Sequence, residues 1–257
     1  MAAFPPLFIA LIKEIDLLLA EFYQLDTIRC KPPCILFIWR REYNTSSMSN
    51  QGSSMAKTMK NTMWDERYDT DDYVYGINPN KFLVSIADKI PVGKTLCLAE
   101  GEGRNAAYLA TLGHDVMAVD SSAVGLKKAN WLAKQRGVEI QTVVANLADL
   151  EIQPNSWDAI ISIFCHLPEN LRKELHQKVT SGLRSGGMFV LEAFTPDQLK
   201  LKTGGPPSEE LLLNLSDLED ELEDLEYEHA AELEREVFEG KLHTGRASVV
   251  QVIAYKP

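Results

Sequence analysis

Residues 94–120, KTLCLAEGEGRNAAYLATLGHDVMAVD, decide the fold of this chain. They contain an apolar run, a Gly-x-Gly turn at Gly101 and Gly103, a stretch of small residues, and a second apolar run that ends in Asp120. This order predicts strand, turn, helix and strand, which is the opening unit of a doubly wound α/β sheet. Glycine lets the backbone bend sharply at the turn and lets a ligand approach it closely. An acid at the end of the second strand is placed to accept both hydroxyls of a ribose.

The turn alone is compatible with more than one cofactor. Gly101, Gly103 and Ala106 satisfy a Gly-x-Gly-x-x-Ala pattern. Asp120 follows at about the twenty-residue spacing that is typical of dinucleotide-binding proteins. The choice of cofactor therefore depends on how the rest of the chain is organised.

Length and composition favour a soluble globular protein. The chain has 257 residues, of which 45% are hydrophobic and 25% charged, enough for one core with or without an appendage. A net charge of -11 disfavours a nucleic-acid partner, because phosphate binding needs a basic surface. The four cysteines are too few and too scattered for a disulfide framework, which favours a reducing cytoplasm. We predict no metal site and no membrane partner; the sequence leaves the oligomeric state open.

Residues 1–61 differ in composition and patterning from the rest of the chain. They are predicted to be an N-terminal extension, poorly ordered or non-native. Residues 10–25 suggest an amphipathic helix, and residues 44–54 form a Ser/Asn/Gly-rich linker. Lys13, Glu14 and Asp16 interrupt the apolar stretch, which disfavours a transmembrane span. Met55, Met59 and Met63 offer later starts. Residues 62–257 are predicted to be the functional domain.

The downstream pattern predicts a three-layer αβα sandwich. Helices are expected at residues 80–89, 122–136 and 169–183, and strands at residues 139–144, 159–164 and 188–194. Residues 208–225 suggest one acidic amphipathic helix whose leucine stripe faces the core. Residues 227–239 and 246–255 suggest two strands joined by a short loop, which must pair antiparallel. The fold class is therefore a Rossmann-like, mostly parallel sheet with a C-terminal antiparallel hairpin.

Five parallel-type strands followed by a hairpin differ from a typical hydride-transfer domain. With this order, the chain from Trp64 onward resembles the class I S-adenosylmethionine-dependent methyltransferases. The matching motifs are Leu96-Cys-Leu-Ala-Glu-Gly-Glu-Gly103, Asp120, Asn146-Leu-Ala-Asp149, Trp157-Asp-Ala-Ile160 and Arg184-Ser-Gly-Gly-Met-Phe-Val190. Within that superfamily the chain is similar to the small tellurite-resistance and thiopurine (thiol) methyltransferase-like branch, through Trp64-x3-Tyr68, Tyr75-Gly76, Gly103-Arg-Asn105 and Gly113-His-Asp-Val116.

The resemblance implies S-adenosyl-L-methionine as cofactor and a small-molecule methyl acceptor as partner. It implies a set of cofactor-binding residues: Trp64, Tyr75, Glu100, Gly101, Gly103, Arg104, Asn105, Asp120, Ser121, Asn146, Leu147, Ala148 and Phe164. The chain departs from the family pattern at Cys97, where an acid is usual, and at Ala99, where glycine is common. Glu100 is expected to take over a contact to the methionine ammonium. Asn146 stands where many relatives carry Asp, and it suits an adenine contact and a turn equally well.

A soft nucleophile such as a thiolate or selenide needs little help from the protein, whereas an oxygen or nitrogen nucleophile needs a base nearby. The predicted catalytic residues are His166, His243 and Arg246, and Glu192 is a further candidate. Each has a structural alternative: a helix-capping role for His166, an exposed hairpin position for His243, and a satisfied strand carboxylate for Glu192.

The aromatic residues at the start of the domain also allow two interpretations. Trp64, Tyr68 and Tyr75 suit either a helix packed on the sheet edge or a lid over the ligand crevice. The leading functional hypothesis is a cytoplasmic methyltransferase acting on a small thiol or chalcogen nucleophile. The alternatives are a nicotinamide-dependent oxidoreductase and a non-catalytic cofactor-binding module that regulates a partner.

Overall fold

The computed structural model describes residues 62–257. The predicted extension, residues 1–61, lies outside the described residues, so that prediction remains untested. The helices are α1 (Thr62–Tyr68), α2 (Lys81–Ser85), α3 (Arg104–Thr111), α4 (Ala123–Gln135), α5 (Glu169–Gly182), α6 (Gln198–Leu201) and α7 (Leu215–Glu221), with a 3-10 turn at Glu209–Leu211. The strands are β1 (Lys94–Leu98), β2 (Asp115–Asp120), β3 (Gln141–Val144), β4 (Trp157–Ile163), β5 (Leu183–Phe194), β6 (Glu226–Glu239) and β7 (His243–Tyr255).

The strands form one seven-stranded sheet in the order β3-β2-β1-β4-β5-β7-β6. Strands β1 to β5 pair in parallel, and β7 pairs antiparallel with both β5 and β6. The predicted mostly parallel sheet with a C-terminal antiparallel hairpin is confirmed. The hairpin folds back so that β7 lies between β5 and β6, which the sequence pattern did not specify.

Successive side chains along a strand point to opposite faces of the sheet, and the central strands contribute buried side chains to a core on each face. Leu96 and Leu98 belong to one core, and Cys97 between them belongs to the other. Helices α5 and α7 contribute to the first core, and α2, α3 and α4 contribute to the second. This is the predicted three-layer αβα arrangement. Among residues 62–257, no helix is long and apolar enough to cross a membrane.

The prediction of one continuous helix over residues 208–225 is wrong. The segment forms the 3-10 turn, an extended link and the short helix α7. At the link, the Leu213 amide donates to the Phe194 carbonyl at 3.0 Å, so a neighbouring strand takes the backbone bond that a helix would use. Leu212, Leu218 and Leu222 are nevertheless buried, which confirms the core-facing leucine stripe. Apolar periodicity identified the buried side chains but not the backbone that carries them. The helix predicted at residues 80–89 likewise ends at Ser85 and continues as turns.

The Gly-x-Gly turn between β1 and α3 packs directly against α4. Gly103 has φ +86°, and a Cβ built on it would lie 2.3 Å from the Ala129 Cβ. Glycine is therefore required at this position both by backbone conformation and by lack of space. Gly137, at the end of α4, also has a positive φ (+73°), but a Cβ there would meet nothing within 4 Å.

These two glycines provide a matched test of the close packing. We expect Gly137→Ala to lower the free energy of unfolding by about 1 kcal/mol, the cost of a left-handed conformation alone. Gly103→Ala carries the same conformational cost plus the collision with α4, so we expect a loss of about 3 kcal/mol or more. Denaturant unfolding of both variants measures the difference. Equal losses would show that α4 does not pack against the turn as described.

Candidate active site

The candidate site lies at the carboxyl ends of β1, β2, β4 and β5, where parallel sheets of this type bind ligands. At β1 and β2, Asp120 organises the backbone. Its Oδ2 accepts a hydrogen bond from the Gly101 amide at 2.8 Å, and its Oδ1 accepts one from the Ser122 amide at 2.8 Å. The Ser121 amide also bonds to this carboxylate. Burial raises the pKa of Asp120, and the three amides oppose that shift. The three amides occupy three of the roughly four lone-pair sites of the carboxylate, which leaves about one for a ligand hydroxyl.

Glu100 follows β1 and lies at the start of α3. Its Oε1 accepts hydrogen bonds from the amides of Asn105 at 3.0 Å and Ala106 at 2.8 Å. Burial raises the pKa of Glu100 to about 7, although these amides and Arg104 favour the charged form. Within the described residues, no hydrogen bond to Oε2 is seen. Glu100 is therefore a partly buried carboxyl that titrates near neutral pH beside the glycine turn.

The structure places the side chains of Arg104 and Asn105 in contacts within the protein. The Asn105 Oδ1 accepts from the Asn80 amide at 2.9 Å, and Arg104 forms a 2.5 Å ion pair with Glu239 of β6. Both residues, in the first turn of α3, are buried. Arg104 thus reaches the hairpin and Asn105 the Asn80 backbone, and their role in cofactor binding stays a prediction.

Glu192 lies in a buried polar network that includes the Arg104–Glu239 pair. Its oxygens accept from Asn80 Nδ2, from Arg235 Nε and NH2, and from Gln251 Nε2 at distances of 2.5–2.7 Å. Arg235 also contacts Glu239 at 3.2 Å. With every oxygen engaged, Glu192 is a satisfied strand carboxylate. It connects α2, β5, β6 and β7 behind the site.

The N-terminal segment covers the glycine turn. A Cβ on Gly101 would lie 2.6 Å from the Tyr68 hydroxyl. Tyr68 stacks on Trp64 with ring centroids 5.6 Å apart and meets Tyr75 edge-on at 6.3 Å. Asp65 accepts from the Ser122 hydroxyl at 2.6 Å, which fixes α1 to the start of α4. The segment thus packs on the glycine turn and the start of α4, and its role as a lid over a bound ligand stays a prediction.

Two residues of the site were missed in the sequence. Glu102, between the two glycines, accepts from the amides of Val74 at 2.8 Å and Tyr75 at 3.3 Å. Its other oxygen lies 2.5 Å from the Lys128 ammonium. Lys128 also donates to the carbonyls of Tyr68, Thr70 and Asp72 at 2.7–3.2 Å. The position of a charged residue between two glycines is the only local signal that could have identified Glu102.

At the carboxyl ends of β4 and β5, five rings form an aromatic–histidine cluster: Tyr75, Phe164, His166, Phe194 and His243. Phe194 stacks on His166 at 5.5 Å and meets Phe164 at 4.5 Å and His243 at 5.2 Å. Tyr75 meets His243 at 4.6 Å. Phe164 has φ +54°, a strained conformation for a residue other than glycine. The structure thus brings together Tyr75, Phe164, His166 and His243 from the predicted set.

Both histidines of the cluster are uncharged near neutral pH. Burial lowers the pKa of His166 to about 4. Burial, helped by the nearby charge of Arg104, lowers the pKa of His243 to about 3. The His166 Nδ1 lies 2.8 Å from the Leu211 carbonyl, so the proton must be on Nδ1 and the lone pair on Nε2. Nε2 of His166 and Nδ1 of His243 are buried without a hydrogen-bond partner among the described residues.

The other predicted residues lie elsewhere. Arg246 is exposed on β7 and forms an ion pair with Glu234 of β6, away from the cluster. It lies three positions after His243, so strand alternation directs it to the opposite face. Asn146 is exposed after β3, and its Oδ1 accepts from the Ala148 amide at 3.1 Å, which favours the turn interpretation. Leu147 is buried in the core. Within residues 62–257, no cluster of three metal-ligating side chains is present.

The lowered pKa values predict a pH-dependent stability. A histidine whose folded pKa lies below the unfolded value of about 6.5 stabilises the fold fully above that pH, and the contribution is lost as the pH falls towards the folded pKa. We expect the free energy of unfolding to fall by about 1–3 kcal/mol between about pH 6.5 and 4 on account of His166. His166→Phe should flatten this slope in denaturant titrations. His229→Phe, outside the cluster, serves as the control, and an unchanged slope in His166→Phe would contradict the assignment.

Known proteins resemble this chain in part of its sequence and in its fold. Residues 96–187 match the family model described as a methyltransferase domain. The chain is 36% identical over 69 residues to the uncharacterized methyltransferase YbaJ of Bacillus subtilis (strain 168). That match covers 26% of this chain and 27% of the relative's length.

Several solved structures share the fold. A structure titled "Conversion of a Disulfide Bond into a Thioacetal Group during Echinomycin Biosynthesis" aligns with a TM-score of 0.64 and 18% identity, over 76% of this chain and 91% of that one. TehB from Haemophilus influenzae aligns with a TM-score of 0.59 and 21% identity, over 77% and 67%. An S-adenosylmethionine-dependent methyltransferase from Methanosarcina mazei aligns with a TM-score of 0.56 and 18% identity, over 70% and 98%. The chain is thus similar in sequence, over residues 96–187, to a methyltransferase domain, and similar in fold to solved structures that include an S-adenosylmethionine-dependent methyltransferase.

Proposed function

We propose that this chain transfers a methyl group from S-adenosylmethionine to a small, soft nucleophile of the thiol or chalcogen type. The observation that carries the proposal is the position of the aromatic–histidine cluster. It joins the glycine turn through the N-terminal segment, because Tyr75 contacts both Tyr68 over the turn and His243 in the cluster. A cofactor side and an acceptor side are thus held next to one another.

The residues at the turn fit the proposed cofactor. The Gly101 backbone lies against the Tyr68 hydroxyl, and Asp120, held by three amides beside it, is the residue proposed to bind the ribose. Glu100 offers a carboxylate for the methionine ammonium. S-adenosylmethionine, when bound, supplies a methyl group on a carbon made electrophilic by its sulfonium. The protein's task is then to orient the nucleophile and exclude water.

The cluster suits an acceptor that needs little activation. His166 and His243 are neutral and weakly basic, so they offer hydrogen-bond acceptors rather than strong bases. Their aromatic neighbours provide a polarisable wall with which sulfur interacts favourably. The relative with the echinomycin title is associated by that title with sulfur chemistry, which is in line with a sulfur acceptor.

The nicotinamide alternative is disfavoured by the sheet. A dinucleotide-binding domain ends in a sixth parallel strand, whereas here the antiparallel strand β7 lies between β5 and β6. The regulatory alternative shares the same cofactor site and differs only in lacking turnover. The turnover experiment below therefore distinguishes it from an enzyme.

The first experiment is calorimetric titration of S-adenosylhomocysteine into the protein, with a separate titration of NAD for comparison. We expect micromolar binding of the former and none of the latter. Asp120→Asn should weaken binding by about tenfold or more, because it removes a charged hydrogen-bond acceptor. Asp115→Asn, at the opposite end of the same strand, should leave the affinity unchanged. Binding of NAD in place of S-adenosylhomocysteine would refute the cofactor assignment.

Turnover is measured with the same protein and a panel of small thiols and selenols, with matched alcohols and amines. We expect methylation within the sulfur and selenium compounds and none of the oxygen and nitrogen compounds. Binding of S-adenosylhomocysteine without turnover across the panel would refute the acceptor class and favour the regulatory module.

Glu100 makes the cofactor affinity pH-dependent. Its pKa of about 7 means that the carboxylate becomes populated as the pH rises through neutrality. If it contacts the ligand ammonium, affinity for S-adenosylhomocysteine should rise between about pH 6 and 7.5, below the usual α-amino pKa of about 7.7–8.0. Glu100→Gln should abolish the rise, whereas exposed Glu151→Gln should preserve it. A rise of the same size in Glu100→Gln would exclude the contact.

A further inference from the structure

Glu102 makes a contact that the proposed chemistry does not require. Its side chain is buried at 4% exposure although its backbone forms the centre of the glycine turn. Through Oε2 it accepts from the amides of Val74 and Tyr75, at 2.8 and 3.3 Å. The residue that shapes the cofactor turn therefore also holds the backbone of the segment that carries Tyr75.

Lys128 completes the connection from α4. Its ammonium pairs with Glu102 Oε1 at 2.5 Å and donates to the carbonyls of Tyr68, Thr70 and Asp72. The neighbouring residue Lys127 has no such contact among the described residues. One buried ion pair thus joins the glycine turn, α4 and residues 68–75. A buried ion pair of this kind fixes geometry more than it adds stability.

Tyr75 extends this connection to the acceptor side. Its ring lies 4.6 Å from the His243 ring, and its hydroxyl accepts from Arg67 of α1 at 3.1 Å. Lys241, in the turn between β6 and β7, donates through its amide to the Val74 carbonyl at 3.0 Å and pairs with Asp72 at 2.6 Å. These contacts form a continuous path from the glycine turn through Glu102 to the wall of the aromatic–histidine cluster.

We propose that Glu102 is a positioning residue that couples occupancy of the cofactor turn to the placement of Tyr75 on the acceptor side, with Lys128 as its charged partner. This inference rests on the proposed function, because both its structural and its kinetic consequence require the cofactor to bind at the glycine turn. It predicts that cofactor binding orders residues 68–75, and that the acceptor then binds to the completed surface.

Hydrogen exchange of the whole protein tests the structural part. In the wild type, S-adenosylhomocysteine should slow exchange at the amides of Val74 and Tyr75. In Glu102→Ala, and to a lesser degree in Glu102→Gln, these amides should exchange at least about tenfold faster, with no further slowing by the ligand. Slowing at Gly101 and Ser122 should persist in both variants. Ligand-dependent slowing at Tyr75 in Glu102→Ala would overturn the coupling.

Kinetics with variants of Lys128 test the functional part. Lys128→Met should raise the acceptor KM by about tenfold while leaving kcat within about threefold, and Lys128→Arg should restore most of the loss. Lys127→Met, one residue away, is the matched control and should behave as the wild type. An equal effect of both methionine variants, or a loss confined to kcat, would refute the positioning role. If the wild type fails to bind S-adenosylhomocysteine, the proposed function fails and the coupling fails with it. If the wild type binds the ligand but exchange at Val74 is as slow in ligand-free Glu102→Ala as in the wild type, the coupling alone is overturned.

Discussion

The left-handed backbone of the glycine turn constrains the arrangement of the rest of the site. Gly101 and Gly103 have φ +61° and +86°, and neither has space for a Cβ. Their lack of side chains lets α4 pack at Ala129 and lets the Tyr68 hydroxyl reach the turn from the other side. Side chains at these two positions would push α4 and α1 away from the ends of β1 and β2. The close contact of these elements is thus a consequence of backbone geometry before any ligand is considered.

Behind the glycine turn, buried ion pairs connect helix α3 to the sheet. Arg104, Glu192, Arg235 and Glu239 form one network that joins α3, β5 and β6. Such a network adds little net stability, because desolvation of the charges offsets their attraction. Its geometric requirement is strict, however, since loss of one partner leaves a buried charge unpaired. We infer that the network holds the hairpin against α3, and with it His243 at the start of β7.

The sequence predicted those parts of the molecule whose determinants are local. The βαβ unit, the position of Asp120 and the antiparallel hairpin each follow from a few consecutive residues, and the structure contains them. It did not predict the partners of Arg104 or Asn105, which lie on elements that are distant in sequence. The break near Leu213 has the same origin, because its amide bonds to β5. Apolar periodicity in the sequence indicates which side chains are buried. Which groups they bond to, and where a helix is interrupted, depends on hydrogen bonds between elements that are distant in sequence.

The two histidines illustrate how burial limits the chemistry of a site. Transfer of a proton from an ordinary thiol, with a pKa of about 8.5, to an imidazole with a pKa of about 4 is unfavourable by about 6 kcal/mol. His166 is therefore a poor base for a thiol and a poorer one for an amine or alcohol. It can still accept a hydrogen bond through Nε2, because the Leu211 carbonyl fixes its tautomer. An acceptor thiol that ionises in water at pH 7 before it binds pays only about 2 kcal/mol instead. On this reasoning, the acceptor that we propose is acidic and polarisable, such as a thiol or a heavier chalcogen.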